Sequence, residues 1–172
     1  MKKYEFTGET KTVDLFGRTV ALRRIRATID FGIVKAGDIG GWIEKEENLA
    51  SDAWVFGNAR VFGNARVFGN ARVSGNARVS GDAQVSGNAK VFKMEHILVI
   101  GPIGSHSAFT TFFRDKDNEI SVSCGCFLGK IPAFVNKVDS THGTSKYAVV
   151  YRMAAEIATA QIDLSGEQEE AE

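Results

Sequence analysis

Apolar and polar positions repeat every six residues across the middle of the chain. After one variant copy, residues 49–90 read Val-Phe-Gly-Asn-Ala-Arg with small changes, so that valine, a Gly-Asn or Gly-Asp pair and alanine recur in fixed order. Six residues suit one side of a triangular coil, with an aliphatic residue pointing inward and glycine at the corner. Three sides close a coil of about eighteen residues, so the pattern predicts a short parallel β-helix of about two and a half coils over residues 49–92.

Outward positions of this triangle carry aromatic rings. Residues eighteen apart share a face, and residues six apart lie on successive faces. Phe56, Phe62 and Phe68 are therefore expected to form an apolar ring around the first full coil. Serines take this position in the next coil, and Phe92 occupies it again after them. Exposed aromatic surface of this kind suggests a partner chain, and we expect these four residues to form an oligomer interface. The cations at the neighbouring outward position spread over all three faces, which is typical of a solvated surface rather than an anion or nucleic-acid track: Arg60, Arg66, Arg72, Arg78 and Lys90.

The segments on either side of the repeat are expected to cover its open ends. Residues 1–48 predict an N-terminal β cap, with a hairpin formed by residues 12–16 and 19–28 and with Trp42 closing the end of the solenoid. In the hairpin, Val20, Leu22 and Ile25 are expected to face the core.

Residues 93–165 predict a small C-terminal α+β domain, so the whole chain is predicted to be mainly β. Three antiparallel strands are expected at 97–100, 108–114 and 120–127, followed by helices at 132–140 and 146–162. Thr144 or Ser145 can N-cap the second helix. Its apolar stripe is expected to be Tyr147, Val150, Tyr151, Ala154, Ile157 and Ala158. Residues 166–172 are acidic and predict a disordered tail.

Composition excludes several classes of protein. The chain has 172 residues and a formal net charge of zero, which gives no global bias toward nucleic acid or membrane. We find no apolar run near the length of a membrane span and no apolar core of a secretory signal. Two cysteines separated by one residue do not form a disulfide framework, so we expect a cytoplasmic protein.

The cysteines and histidines are candidates for chemistry. Cys124 and Cys126 lie two apart on a predicted strand, so both are expected to project from one face. Three interpretations stay open: a zinc site with histidines, a Cys124 nucleophile with His142 as base, and small residues that pack a tight sheet. Packing is favoured, because Cys-x-Cys is not the usual zinc spacing and no flanking signature supports a nucleophile. We therefore assign no catalytic residue, metal ligand or cofactor.

A ligand site is expected where three C-terminal segments converge. These are the rigid loop at 101–106, the Gly-Cys strand and the start of the second helix, whose N-terminus would favour a negative ligand. The candidate ligand-binding residues are Gly101, Gly104, Ser105, His106, Ser123, Cys124, His142, Thr144 and Ser145.

The motifs also resemble a known class of protein. Val61-Phe62-Gly63-Asn64-Ala65-Arg66 resembles the hexapeptide repeat of left-handed β-helix proteins, which implies a left-handed coil and a homotrimer. Together with the leader at 30–49 and the segments 100–105, 122–127 and 141–143, the repeat is similar to hexapeptide-repeat proteins common in phages and prophages. This resemblance covers nearly the whole chain. It implies a phage-related origin and a place in the host cytoplasm, but no activity.

Three classes of function stay open. Acyl transfer is common among the left-handed β-helix trimers that the chain resembles, but those enzymes use a histidine in or beside the coils, and residues 49–90 contain none. A virion or assembly protein would be purely structural. We favour a non-catalytic binding protein, with the solenoid as trimerisation stem and the C-terminal domain as ligand module. Its ligand would be a small anion or nucleotide signal, or a host-defence protein, and sequestration would counter host defence.

Overall fold

A computed structural model describes residues 2–15 and 17–166 of the chain. The expected end of the first strand at Phe16 and the acidic tail beyond Gly166 lie outside the described residues. The long strands of the N-terminal part are β1 (Tyr4–Leu15), β2 (Arg18–Ala27) and β3 (Ile39–Ile43). The two-residue strands of the repeat are β4 (Trp54–Val55), β5 (Arg60–Val61), β6 (Arg66–Val67), β7 (Arg72–Val73), β8 (Arg78–Val79), β9 (Gln84–Val85) and β10 (Lys90–Val91). The C-terminal part contains β11 (Ile97–Ile103), β12 (Ala108–Arg114), β13 (Ile120–Cys124), β14 (Phe127–Lys130), α1 (Ile131–His142) and α2 (Lys146–Gln161).

The repeat forms a β-solenoid in which strands eighteen residues apart pair in parallel. Three ladders run along it, β3-β5-β8, β4-β7-β10 and β6-β9, and Arg60 pairs with Arg78 in the first of them. The repeated valines and alanines are fully buried and form the inner columns. Burying one valine contributes about 1.5–3 kcal/mol, so these columns are a main source of stability.

The N-terminal hairpin extends one side of the solenoid. β1 pairs antiparallel with β2, and β2 pairs antiparallel with β3, so the hairpin continues the β3-β5-β8 ladder. Val20, Leu22 and Ile25 are buried, as the sequence predicts.

Trp42 does not close the end of the solenoid, contrary to expectation. It occupies the outward position of its strand, because it pairs with Arg60 in the parallel ladder. There it packs with Val13, Val20, Leu22 and Phe62 under the hairpin. The open end is instead covered by Tyr4, Ile25, Ala27 and Val34, which belong to the same buried cluster as the inner valines.

A four-stranded antiparallel sheet separates the other end of the solenoid from the two helices. Its strand order is β11-β12-β13-β14. Adjacent residues of β12 point to opposite faces, so Phe113 packs on the solenoid core while Phe112 packs on the helices. The Gln84 amide donates to Thr111 Oγ1 at 3.0 Å, and the Lys116 amide donates to the Asn88 carbonyl at 2.9 Å. These bonds join the sheet to the last coil.

The third expected strand of this sheet is in fact two strands. Gly125 adopts a positive φ of 58° and, with Cys126, forms a tight turn between β13 and β14. Cys124 ends β13, whereas Cys126 lies exposed in the turn. The expectation that both cysteines project from one face of a strand is therefore wrong.

Two of the four phenylalanines expected at an oligomer interface are buried within the chain. Phe62 is 4% exposed because the hairpin covers it, and Phe92 is 8% exposed because it packs edge-on against His96 at a ring distance of 4.1 Å. The expectation is wrong for these two. Phe56 and Phe68 remain half-buried at the solenoid surface.

The buried stripe of α2 is shifted from the expected one. Its buried residues are Ala148, Tyr151, Ala154, Ala155 and Ala158. Val150 and Ile157 are 38% and 48% exposed, because the small alanines allow the helix to pack closely on α1 and the sheet with its larger apolar side chains turned outward.

Candidate binding site

A cavity of about 320 Å³ lies between the sheet and the two helices. The turn between β11 and β12, the turn between β13 and β14, one face of α1 and Tyr151 of α2 form its walls. The lining residues are Ser105, His106, Ala108, Cys124, Gly125, Cys126, Phe127, Phe134, Lys137, Val138, Thr141, His142 and Tyr151. The cavity is therefore built mainly from segments that follow the solenoid in the chain.

Tyr151 is the central polar group of the cavity. A Cβ atom built on Gly104 would lie 1.8 Å from the Tyr151 hydroxyl oxygen, so the ring can reach this place only over a glycine. Gly104 also has a φ of 76°, which glycine adopts without strain. Burial, with a smaller contribution from the neighbouring Cys124, raises the pKa of Tyr151 to about 12. Tyr151 therefore keeps its proton at neutral pH and can donate a hydrogen bond.

The side chains of His142 and Cys124 adjoin Tyr151. The His142 ring stacks on the Tyr151 ring at a centroid distance of 5.7 Å and an interplanar angle of 28°. The Thr110 hydroxyl donates to Cys124 Sγ at 3.2 Å. Among the described residues, the hydrogen bond shown for Cys124 is the one from Thr110.

The structure brings some of the sequence-predicted ligand residues together and leaves others apart. Ser105, His106, Cys124 and His142 line the cavity, and Gly104 adjoins it under Tyr151. The remaining candidates, Gly101, Ser123, Thr144 and Ser145, do not line it.

Three of these outlying residues have a local explanation. Gly101 packs against Phe109, where a Cβ atom would lie 2.6 Å from the ring. Ser123 is buried within the sheet, between its partners Thr111 and Leu128. Ser145 is the N-cap of α2 and accepts a bond from the Ala148 amide.

Several lining residues come from α1, which sequence reasoning did not assign to the site. Phe134, Lys137, Val138 and Thr141 recur at intervals of three and four, so they share one face of that helix. This spacing was present in the sequence and could have indicated a helix face that lines the site.

The side chains of the cavity suit a ligand with an apolar body and a polar group. Phe127, Phe134 and Val138 provide apolar surface, while His106, Lys137 and the Tyr151 hydroxyl provide hydrogen-bond donors. A mostly apolar pocket with a few convergent polar groups is typical of small-molecule sites.

Comparison with protein families supports the solenoid assignment. The family model of the YdcK beta solenoid repeat matches residues 59–73, 65–81 and 71–87 in overlapping copies. The chain therefore contains a repeat β-solenoid. A comparison with curated proteins found no match.

Two further findings concern the described residues. Within residues 2–15 and 17–166, no three His, Cys, Asp or Glu side chains come together as a metal site would require. No helix in this part of the chain is long and apolar enough to cross a membrane.

Proposed function

We propose that this chain is an oligomeric binding protein without catalytic activity, whose solenoid is an assembly stem and whose C-terminal cavity sequesters a small molecule. The observation that carries the proposal is the cavity itself, which combines apolar walls with the donors His106, Lys137 and Tyr151. These donors suit an anionic or nucleotide ligand, because each can donate to a phosphate or carboxylate oxygen.

The finer features of the assembly belong to the same proposal. The solenoid is a left-handed coil of about two and a half turns, as the resemblance to hexapeptide-repeat proteins implies, and three copies assemble side by side. Phe56 and Phe68, which stay half-buried at the surface, support a contact along the solenoid. The phage-type resemblance supports a host-defence protein or its nucleotide signal as the target.

A second surface supports assembly. Val149, Val150, Met153 and Ile157 are between 38% and 56% exposed and lie on adjacent turns of α2. Their spacing of three and four forms one continuous apolar stripe, and such stripes on otherwise polar surfaces mark interaction sites.

Native mass spectrometry of the protein from cell lysate tests the proposal. We expect three subunits with a small molecule that is released chemically unchanged on heating. Lys137→Ala and His106→Ala should each weaken its binding by about ten- to a hundredfold, since a hydrogen bond to a charged group contributes about 1.5–3 kcal/mol. Lys146→Ala is the matched control, because Lys146 does not line the cavity.

The alternative outcomes are distinct. Recovery of a cleaved or transferred product would show that the cavity catalyses a reaction, and the binding function would then be rejected. Equal ligand retention in Lys137→Ala, His106→Ala and Lys146→Ala would show that the ligand is bound elsewhere.

A further inference from the structure

A group of four cations lies on the curved face formed by the hairpin and the β3-β5-β8 ladder. Lys11 Nζ is 4.0 Å from the centre of the Trp42 ring, and Arg24 Cζ is 5.3 Å from it. Arg60 is the ladder partner of Trp42, and Arg78 is the ladder partner of Arg60. All four side chains therefore lie on the same side of one sheet.

The hairpin brings these cations together, although the repeat alone would spread its arginines over three sides. Lys11 pairs with Leu22 in the hairpin, and Leu22 packs with Trp42 and Phe62. Arg78 Cζ lies 5.6 Å from the centre of the Phe62 ring, so it borders the same apolar cluster. The basic face is thus an apolar floor of Trp42 and Phe62 with Lys11, Arg24, Arg60 and Arg78 around it.

The positive charge of this face is poorly balanced. Within residues 2–15 and 17–166, Arg24 forms an ion pair with the exposed Glu9 at 3.5 Å, and the structure shows no ion pair for the other three cations. Burial, and then the charges of Arg60 and Arg24, lower the pKa of Lys11 to about 8. Like charges held this close raise the free energy of the unliganded protein unless an anion joins them.

Trp42 provides a second, independent observation. It is 8% exposed, and its Nε1 is buried without a hydrogen-bond acceptor among the described residues. A buried N–H group normally has a hydrogen-bond partner, because leaving the hydrogen bond unformed costs about 1–3 kcal/mol. This unpartnered N–H group belongs to the ring that lies under Lys11 and Arg24 in the basic face.

We propose that this basic face binds a small ligand carrying two or more phosphate groups. Guanidinium groups donate paired hydrogen bonds to phosphate, and four cations against one carboxylate match a multiply charged ligand better than a single carboxylate. Single-stranded nucleic acid is disfavoured, because its bases stack on exposed aromatic rings and both Trp42 and Phe62 are covered. This site is separate from the C-terminal cavity, so either proposal can fail without the other.

The test is calorimetric titration of the whole protein with inorganic tripolyphosphate. Arg60→Gln and Lys11→Met should each weaken binding by about tenfold, because each removes one charge-assisted contact. Gln84 occupies the corresponding position of another coil, so the solenoid accepts glutamine there, and methionine keeps the apolar stem that lies over Trp42. Arg66→Gln is the matched control, since Arg66 has the same place in its hexad but lies on the β6-β9 side, and its effect should be less than twofold.

Lysine NMR provides a readout that does not depend on the variants. Saturation with tripolyphosphate should raise the pKa of Lys11 from about 8 toward its ordinary value. The proposal is overturned by no binding, by equal weakening in Arg66→Gln, or by an unchanged Lys11 pKa at saturation. Citrate that binds as tightly would show recognition of charge alone, and binding of a single-stranded oligonucleotide without binding of tripolyphosphate would identify the wrong ligand class.

Discussion

At the scale of single residues, the least expected feature is a buried arginine beside a buried histidine. Arg114 and His96 are both fully buried, and Arg114 Nη1 lies 3.2 Å from His96 Nε2. The Phe92 amide also lies 3.4 Å from His96 Nδ1, and a neutral imidazole has one acceptor nitrogen, so the ring can accept from only one of these two donors at a time. Arg114 also donates to the carbonyl oxygens of Ser165 and Gly166, so it ties the end of the described chain to the sheet.

This pair predicts a loss of stability in mild acid. Burial, and then the Arg114 charge, lower the pKa of His96 to about 4. Between pH 6.5 and 4 the unfolded chain binds a proton at His96 while the folded chain does not. The free energy of unfolding should therefore decrease as the pH is lowered through this range, by about 3 kcal/mol in total. Urea unfolding at several pH values measures it. The His96→Gln variant should be less stable at pH 7 but should lack this pH dependence. An equal dependence of unfolding free energy on pH in both proteins would show that His96 does not cause it.

The sequence predicts single residues well where the repeat fixes them and poorly elsewhere. Every inner valine is buried as expected, because one period specifies all of them. Phe62 occupies a regular outward position, yet the hairpin covers it, and no local pattern indicates where a distant hairpin will fold. In the cavity, the sequence predicts that His106 and His142 lie near Cys124, whereas the spacing of Tyr151 fits helix packing as well as a place in the site.

At the scale of elements, the corners of the solenoid are constrained by the coil stacked on them. Gly69 and Gly81 have similar positive φ angles, 71° and 65°. A Cβ atom on Gly69 would lie 2.9 Å from the Gly87 amide nitrogen, whereas one on Gly81 would meet nothing within 4 Å. A substitution at Gly81 therefore introduces backbone strain alone, whereas a substitution at Gly69 introduces both backbone strain and crowding between coils.

Alanine substitutions at these two corners should differ in cost. Gly81→Ala should destabilise the protein by about 1–2 kcal/mol, which is the cost of the left-handed conformation for a residue with Cβ. Gly69→Ala should cost about 1–3 kcal/mol more, because overpacking forces the neighbouring backbone to shift. Denaturant unfolding of both variants measures the difference. Equal losses of stability in the two variants would mean that the coil stacked on Gly69 shifts at no cost to accommodate the added methyl group.

The same elements show which parts of the fold are predictable. Ser145 was one of two expected caps of α2, and it is the residue that accepts the Ala148 amide. The predicted end of the third strand is wrong, because Gly125 between two cysteines is compatible with a strand interior and with a turn. Local patterns predict elements that repeat or have caps, while a tight turn with one glycine depends on the sheet that surrounds it.

At the scale of the whole molecule, the chain covers both ends of its solenoid with its own segments. Tyr4 and Val34 cover one end, and Phe113 covers the other. Growth of the solenoid by direct stacking of exposed coils is therefore blocked, and association has to use other surfaces of the molecule. The exposed stripe of α2, formed by Val149, Val150, Met153 and Ile157, is one such apolar surface.

We therefore expect Met153→Glu and Ile157→Glu to dissociate the proposed trimer. A carboxylate in a closed apolar interface loses its hydration without gaining a partner, which costs several kcal/mol, whereas both side chains contribute little to the core of the subunit because they are 56% and 48% exposed. Light scattering should give three subunits for the wild type and one for each variant, with unchanged unfolding of the subunit. Asn136→Glu adds the same charge to an exposed position of α1 and should remain trimeric. A wild-type mass of one or two subunits would contradict the trimer, and trimeric Met153→Glu and Ile157→Glu variants would place its interface away from α2.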